Sequence, residues 1–381
     1  MKPGLLLYCQ HSVGLGHLMR SYALCGALAD RFRVVLLCGG AMPAGIRPPA
    51  GIEVVALPPL GVGPDGRFAS HDPRYTIESA WAARQARILG TFRALRPAVV
   101  VVELFPFGRA KFARELVPLL EAARAAGALT ACSLRDILVS RRADQQAHDD
   151  RAARRADALL DAVLVHSDPR FARLEETFAP RRPLRAPVHY TGFVVRDAPA
   201  AAPARGEHVL VSAGGGLVGE RLLQAAAEAQ PAAGVPMRMV GGPLLPDDAW
   251  ERLRALAGPG LELRRTVADL GTELRVARAS ISQGGYNTAL EVVRSGVPAL
   301  IVPYETAEED EQTRRAARLE RLGAVRVLPA ARLDALGDEL PRLLRFTPAR
   351  AAVDLDGARR SAELLEALLE RTAPAARAGI A

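Results

Sequence analysis

The chain has 381 residues, of which 49% are hydrophobic and 24% are charged, which excludes a disordered protein and fits two domains. The net charge of +8 lies entirely in residues 1–195, which hold 26 basic and 17 acidic side chains against 24 and 25 in the remainder. This asymmetry suits an anionic substrate or an anionic membrane surface, but a solvated basic surface without a partner fits it equally well. Because no RNA-binding signature accompanies the basic residues, we expect no nucleic acid as a partner.

Short apolar runs alternate with amphipathic stretches along the chain, which is typical of α/β proteins with parallel sheets. In the first half the pattern predicts six strands, at 5–9, 34–38, 53–57, 98–102, 129–133 and 162–166, and helices at 17–29, 74–94 and 111–125. A second series of strands is predicted at 208–212, 237–240, 261–264, 279–282, 299–302 and 325–328.

A stretch rich in Pro and Ala separates the two series and predicts a linker. We therefore expect an N-terminal domain, a linker, a C-terminal domain, and a final helix followed by a loose tail, over residues 1–195, 196–206, 207–350 and 351–381 respectively. The cleft between the two domains is the expected ligand site.

The first predicted strand runs into a glycine turn that contains Gly14 and Gly16 and is followed by His17. Such a turn brings backbone close to a ligand at the carboxyl edge of a parallel sheet. At the start of a helix, His17 would stay neutral and suit a general base, although a plain helix-starting residue fits the spacing equally well. The third glycine of the dinucleotide fingerprint is replaced by Met19, which disfavours a nicotinamide enzyme.

The second half opens with a strand followed by three glycines, Gly214, Gly215 and Gly216. Backbone N–H groups between a strand and a helix suit an anion, whereas a tight turn is the simpler alternative. No Gly-Lys-Ser/Thr sequence follows, which excludes a P-loop.

The most informative segment begins at the end of the strand at 279–282 and continues into a helix. Backbone amides and Thr288 suit a diphosphate, and the carboxylate of Glu291, one turn later, suits the hydroxyls of a ribose. Beyond it, Glu311 and Gln312 stand at the start of a basic helix. A carboxylate that accepts hydrogen bonds and an amide at this place suit the hydroxyls of a sugar. The donor-side candidates of this half are Gly214, Gly215, Gly216, Ser282, Gly284, Gly285, Asn287, Thr288, Glu291, Glu311 and Gln312.

Together these residues resemble the MurG-like branch of the GT-B glycosyltransferases over nearly the whole chain. The resemblance implies two Rossmann-like doubly wound domains that face each other across a cleft. It also implies an inverting, metal-independent hexosyltransferase with a UDP-sugar as co-substrate and no further cofactor. The chain departs from the family pattern at 214–219, where Gly-Gly-Gly-Leu-Val-Gly lacks a hydrogen-bonding Ser and Gln.

In this resemblance the N-terminal glycine loop faces the acceptor, which makes Gly14, Gly16 and Arg20 acceptor-side candidates. Polar residues that follow the next strands add Glu103, Arg135 and Asp136, each of which also suits an ordinary ion pair. We expect His17 to be the general base, with Glu103 and Asp136 as the other catalytic candidates.

The same residues are also compatible with other activities. Gly16-His-Leu-Met-Arg20 is similar to a loop of the UDP-sugar hydrolase of the pseudaminic acid pathway, in which water replaces the acceptor. A UDP-sugar 2-epimerase and a non-catalytic nucleotide-sugar sensor are further alternatives. The acceptor is a hydroxyl compound, either anionic or lipid-linked, or a small metabolite or polysaccharide.

The cysteines and the apolar segments bear on location. Cys9, Cys25, Cys38 and Cys132 show neither Cys-x-x-Cys pairing nor metal-ligand spacing, which favours a reduced, cytoplasmic protein without a metal. No apolar run is long enough to span a membrane. A peripheral position at the inner face of the membrane is expected if the acceptor is a lipid.

Overall fold

The computed structural model describes residues 2–11, 15–42, 46–63, 67–196 and 204–372. These residues form two parallel β-sheets, of seven and six strands, together with a short antiparallel hairpin. The prediction of an α/β protein with two doubly wound sheets is confirmed.

The described residues of the N-terminal half form nine strands and four α-helices. The strands are β1 (Gly4–Cys9), β2 (Arg33–Cys38), β3 (Glu53–Ala56), β4 (Leu60–Val62), β5 (Phe68–Ser70), β6 (Val99–Glu103), β7 (Leu129–Arg135), β8 (Ala162–His166) and β9 (Val188–Tyr190). The helices are α1 (Gly16–Ala29), α2 (Ile77–Leu95), α3 (Ala113–Ala125) and α4 (Gln145–Leu159), with 3₁₀ helices at Ala110–Phe112 and Leu174–Glu176.

The seven-stranded sheet has the order β3-β2-β1-β6-β7-β8-β9, and β4 and β5 form the hairpin. Strand β1, which lies inside the sheet between β2 and β6, is apolar throughout because both faces of the sheet are covered by helices. Leu6 and Tyr8 point into the core beneath α2, α3 and α4. Leu5 and Leu7 point into the opposite core, which α1 closes.

The C-terminal half repeats this architecture. Its strands are β10 (Val209–Ser212), β11 (Met237–Val240), β12 (Leu261–Arg264), β13 (Ala279–Ser282), β14 (Ala299–Ile301) and β15 (Arg326–Val327), in the order β12-β11-β10-β13-β14-β15. Its helices are α5 (Glu220–Ala233), α6 (Asp247–Ala255), α7 (Leu270–Val276), α8 (Tyr286–Ser295), α9 (Glu311–Arg321), α10 (Leu336–Arg345) and α11 (Gly357–Thr372), with a 3₁₀ helix at Ala330–Ala335.

The last helix crosses to the other half of the molecule. Ala362 and Leu365 of α11 are buried in the core that α1 closes, and Arg31 at the end of α1 forms an ion pair with Glu366. Among the described residues, the chain thus belongs to the N-terminal half up to residue 196, to the C-terminal half from residue 204, and returns to the N-terminal half with α11. The exact domain limits remain a prediction.

The strands predicted from apolar runs are present, whereas the strands β4, β5 and β9 and the helices α4, α6 and α7 were not predicted. The three strands are each three residues long and only partly buried, apart from the start of β4, so they lack a continuous apolar run. Helix α4 is strongly polar and buries mainly alanines, which gives a weak amphipathic signal.

Candidate active site in the interdomain cleft

The carboxyl ends of both sheets face a cleft of about 1030 Å³ between the two halves. One wall consists of the start of α1 and the loops after β6 and β7. The opposite wall consists of the loops after β10, β11, β12 and β13, and the start of α9. Open α/β sheets bind ligands at this edge, so the cleft is the candidate active site.

His17 lies on the N-terminal wall, and its side chain is 16% exposed. Its Nδ1 atom is 2.6 Å from Oε1 of Glu103, which is fully buried behind it at the end of β6. Arg20, one turn later on α1, is buried and pairs with the same carboxylate oxygen. His17 therefore faces the cleft, whereas Glu103 and Arg20 lie beneath it and orient its ring.

The charges of this cluster determine which group accepts a proton. Burial lowers the pKa of His17 to about 3, against the attraction of Glu103. Burial also opposes ionisation of Glu103, but His17, Arg20 and Arg109 together lower its pKa below the ordinary value. A neutral His17 that donates its Nδ1 proton to an ionised Glu103 leaves Nε2 free to act as a base.

A second arginine near His17, Arg109, was not predicted from the sequence. Arg109 lines the cleft in the loop between β6 and α3. Its backbone has a φ of 57°, a left-handed conformation that is uncommon for residues other than glycine. Its Nε atom is buried and has no hydrogen-bond partner among the described residues. The signal available in the sequence was the turn residue Gly108 after a buried strand.

Two glycine loops form the rear of the C-terminal wall. Gly214 and Gly216 have positive φ angles of 59° and 95°. A Cβ atom on Gly216 would lie 2.6 Å from the carbonyl oxygen of Gly241, and one on Gly242 would lie 2.6 Å from the backbone of Gly215. The two loops pack backbone against backbone, which only glycine permits. The second loop follows β11 and was also missed, although its glycine pair at a strand end was a usable signal.

The turn between β13 and α8 divides the predicted donor residues. Gly285 lines the cleft, and no atom lies within 4 Å of the position of a Cβ on it. A Cβ on Gly284 would be 3.2 Å from both Ile301 and the Gln312 carbonyl, so Gly284 packs against α9 instead. Ser282 is fully buried under the turn. Among these three residues, only Gly285 offers its backbone directly to a ligand.

The first turns of α8 carry three further predicted residues, all of which line the cleft. Thr288 lies beside Gly214, since a Cβ on that glycine would be 3.9 Å from its Oγ1. The Nδ2 of Asn287 donates a 2.9 Å hydrogen bond to the carbonyl of Gly16. This bond joins the start of α8 to the start of α1, across the cleft.

Glu291 lines the cleft below Thr288, next to the loop that precedes α7. Burial raises the pKa of Glu291 to about 7, and the nearby carboxylate of Asp269 adds to this increase. A carboxylate that is costly to ionise is stabilised by donors such as the hydroxyls of a pentose. Asp269 also caps α7 by accepting a hydrogen bond from the Thr272 amide.

Glu311 and Gln312 begin α9 and line the cleft, as predicted. Glu311 forms an ion pair with Arg135 of the N-terminal half. The Oε1 atom of Gln312 accepts a 3.1 Å hydrogen bond from the amide of Tyr304. The predicted acceptor-side residue Arg135 and the donor-side residue Glu311 are therefore partners across the cleft.

Asp136 does not line the described part of the cleft. It is buried, and its two oxygens each lie 2.8 Å from a nitrogen of Arg315 on α9. Both of its oxygens are occupied by a buried guanidinium away from the cleft, so the geometry favours His17 over Asp136 as the base. Gly14 lies outside the described residues.

The structure thus brings most of the predicted residues to one cleft. Lining it are Gly16, His17, Arg135, Gly214, Gly215, Gly216, Gly285, Asn287, Thr288, Glu291, Glu311 and Gln312. Over the described part of the chain, His, Cys, Asp and Glu side chains form no group of three suited to a metal ion.

Two doubly wound domains whose glycine turns meet at one cleft define the GT-B class of fold, and the predicted architecture is confirmed. Residues 265–357 match the sequence family described as "Glycosyltransferase family 28 C-terminal domain". The matched segment begins after β12 and includes the turn between β13 and α8, together with Glu291, Glu311 and Gln312. The resemblance to MurG-like GT-B proteins is therefore confirmed in both sequence and fold.

Curated relatives have similar sequences over part of their length. The UDP-N-acetylglucosamine--N-acetylmuramyl-(pentapeptide) pyrophosphoryl-undecaprenol N-acetylglucosamine transferase of Solibacter usitatus is 30% identical over 194 residues, which cover 46% of this chain and 53% of that protein. The enzyme of the same name from Thermotoga maritima is 35% identical over 77 residues, which cover 20% of this chain and 22% of that protein. The chain thus matches about half of the first relative and about a fifth of the second.

Solved structures share the fold over almost the full chain. MurG of Acinetobacter baumannii has a TM-score of 0.58 at 16% identity and covers 96% of this chain and 100% of its own. Arabidopsis thaliana UGT89C1, complexed with UDP, has a TM-score of 0.64 at 14% identity, and the match covers 97% of this chain and 100% of that chain. At these identities the likeness concerns the fold alone.

No helix among the described residues is both long and apolar enough to cross a membrane.

Proposed function

We propose that this chain is a glycosyltransferase that moves a hexosyl group from a UDP-sugar to a hydroxyl acceptor. The observation that carries the proposal is the arrangement of the cleft: His17, backed by Glu103, faces the glycine turns of the opposite domain. A base on one wall and anion-binding backbone on the other are the two elements that sugar transfer requires.

The C-terminal wall would hold the donor. The open position of Gly285 at the start of α8 presents N–H groups and the positive end of the helix dipole to a diphosphate. Thr288 and the Gly214–Gly216 loop lie beside that position. Glu291, deeper in the cleft, would accept hydrogen bonds from the ribose, and Glu311 and Gln312 from the sugar.

The N-terminal wall would supply the proton transfer. The acceptor hydroxyl gives its proton to Nε2 of His17 while its oxygen forms a bond to the anomeric carbon. The bond between that carbon and the phosphate oxygen breaks, and its electron pair leaves with UDP. Glu103 stabilises the resulting imidazolium, and the glycine amides stabilise the charge on the leaving diphosphate.

One displacement of this kind inverts the anomeric configuration, because the acceptor attacks opposite the leaving group. Such a single displacement requires one base and a stabilised leaving group. Backbone amides and the positive end of the α8 dipole would stabilise the charge on the diphosphate, so we propose that the reaction needs neither a metal nor a further cofactor.

The acceptor side combines apolar and basic groups. Ile46, Val62 and Val139 line it together with Arg47 and Arg109. This combination favours an acceptor with an anionic group and an apolar part, and a lipid-linked compound fits it. We therefore propose that the protein works in the cytoplasm, with peripheral contact at the inner face of the membrane. Salt-dependent co-sedimentation with vesicles that contain phosphatidylglycerol tests that contact.

A thermal-shift panel of UDP-, GDP- and dTDP-sugars tests the donor assignment. We expect UDP-sugars to raise the melting temperature most, since a ligand that binds only the folded state stabilises it. Transfer is then measured with the best donor and a panel of hydroxyl acceptors, by NMR of the anomeric proton. Absence of stabilisation by every nucleotide sugar would contradict the proposed function.

A nucleotide-sugar hydrolase is the second candidate, because His17 backed by Glu103 can take a proton from water as readily as from a hydroxyl acceptor. Incubation with a UDP-sugar and no acceptor separates the two activities. Rapid release of one free sugar per UDP supports the hydrolase. Slow release that an acceptor accelerates supports the transferase.

A further inference from the structure

A buried ion pair joins the two domains behind the cleft. Asp136 follows β7 in the N-terminal domain, and Arg315 lies on α9 in the C-terminal domain. Nε and Nη2 of Arg315 each donate a 2.8 Å hydrogen bond to Asp136, and both side chains are fully buried. Burial opposes the charge on Arg315, but Asp136 and Glu311 raise its pKa above the ordinary value. The guanidinium is therefore charged and fixed in orientation.

The third nitrogen of this guanidinium contacts the turn that precedes α8. Nη1 of Arg315 donates a 2.8 Å hydrogen bond to the carbonyl of Gly284. That carbonyl belongs to the peptide whose N–H is on Gly285, the residue that opens onto the cleft. Fixing the carbonyl of one peptide fixes the direction of its N–H, because the peptide group is planar.

We propose that Arg315 is a positioning residue for the donor-binding turn, and that Asp136 of the opposite domain sets its position. The inference rests on the proposed function, since it assumes that the turn binds the donor diphosphate. Arg315 acts through Gly284 and Gly285, and it does not line the described part of the cleft.

The neighbouring contacts support the same conclusion. Arg135, adjacent to Asp136 in sequence, pairs with Glu311, which lies 3.8 Å from Arg315. The ring of Tyr286, the first residue of α8, lies 5.6 Å from the guanidinium carbon of Arg315. Two consecutive residues of one domain thus hold the starts of α8 and α9 in the other. Donor affinity should therefore depend on the N-terminal domain, although the donor site lies in the C-terminal one.

Two variants distinguish the geometric role of Arg315 from the effect of its charge. In Arg315→Lys the charge is kept, but a single ammonium lacks the planar fork that contacts Asp136 and Gly284 together. In Asp136→Asn the shape is kept and the countercharge is removed. Arg141→Gln is the matched control, because Arg141 is an exposed residue that pairs with Glu305 and Asp310 across the same interface without touching the turn.

The experiment is calorimetry with UDP, combined with hydrogen exchange of peptides that span residues 283–292. We expect Arg315→Lys and Asp136→Asn to weaken UDP binding by on the order of tenfold, and to speed exchange at the start of α8 even without UDP. With substrates, the donor KM should rise more than kcat falls. Arg141→Gln should bind UDP within about twofold of the unmodified protein.

A third variant keeps the test valid if the single substitutions prevent folding. Asp136→Leu combined with Arg315→Met replaces the ion pair by apolar side chains, which preserves folding in other buried pairs, but it removes the bond to Gly284. Unchanged UDP affinity and unchanged exchange in the folded variants would overturn the inference. If the unmodified protein bound no UDP, the proposed function would fail. The exchange rates without UDP would still decide whether Arg315 holds the turn.

Discussion

Oε1 of Glu103, at the end of β6, lies 2.6 Å from Nδ1 of His17 at the start of α1. The carboxylate is fully buried and the imidazole is partly exposed to the cleft. This pairing leaves one ring nitrogen, Nε2, for a substrate, and it connects that nitrogen to a stabilising negative charge. The two residues are separated by 86 positions in the chain.

Replacing His17 by Ala should remove the base and leave the donor site intact. We expect kcat to fall by roughly 10² to 10⁴-fold, while the dissociation constant of UDP changes less than about twofold. Steady-state kinetics and calorimetry check the two parts. His71→Ala is a suitable control because His71 is an exposed histidine outside the cleft. Full turnover in the His17 variant would exclude it as the base.

Donor affinity should depend on pH through Glu291. The pKa of this partly buried carboxyl is raised to about 7, and ribose hydroxyls prefer the ionised form. Affinity should therefore be about half of its maximum near pH 7, rise above that pH and fall below it, being roughly tenfold weaker at pH 6 than at pH 8. The ligand should be a UDP-sugar, whose doubly esterified diphosphate does not titrate in this range.

Glu291→Gln is the control for that titration. It should bind weakly at every pH and abolish the dependence. A pH profile that persists in Glu291→Gln would assign the titration to another group. Burial lowers the pKa of His17 to about 3, so His17 should not change its charge between pH 5 and 8. It should therefore add no step to the pH profile of donor affinity.

Gly216→Ala should distort the rear of the donor site. The added Cβ would lie 2.6 Å from the carbonyl oxygen of Gly241, at a φ of 95°. We expect a loss of about 1–3 kcal/mol in unfolding free energy and weaker UDP binding, measured by urea denaturation and calorimetry. Gly258→Ala, where a Cβ meets open space, should leave both quantities unchanged. Equal behaviour of the two variants would show that the close backbone packing is not required.

Arg109→Gln should affect the acceptor more than the donor. If its guanidinium binds the anionic group of the acceptor, the acceptor KM should rise by about tenfold or more, in line with ~1.5–3 kcal/mol for a charged hydrogen bond. UDP affinity should stay the same. Arg114→Gln, at a guanidinium that stacks on Trp81 away from the cleft, is the control. Weakened UDP binding with an unchanged acceptor KM would reassign Arg109 to the diphosphate.

Much of the fold follows from local patterns. The buried strands of parallel sheets are continuous apolar runs such as β1, and the glycine turns that follow them mark the ligand edge. These patterns predicted both sheets, the cleft, and the residues of α8 and α9 that line it. The short strands β4, β5 and β9 were missed because three partly buried residues leave no readable period.

The sequence by itself determined the fold class and the residues near the site; tertiary structure decided which of them face the cleft. Glu103 and Asp136 are both carboxylates after apolar strands, yet one orients His17 and the other binds Arg315, 179 positions away. Gly284 and Gly285 are identical neighbours, but one packs on α9 and the other opens onto the cleft. The reason is physical: burial, ion pairing and pKa arise from contacts between distant segments, which local periodicity does not contain.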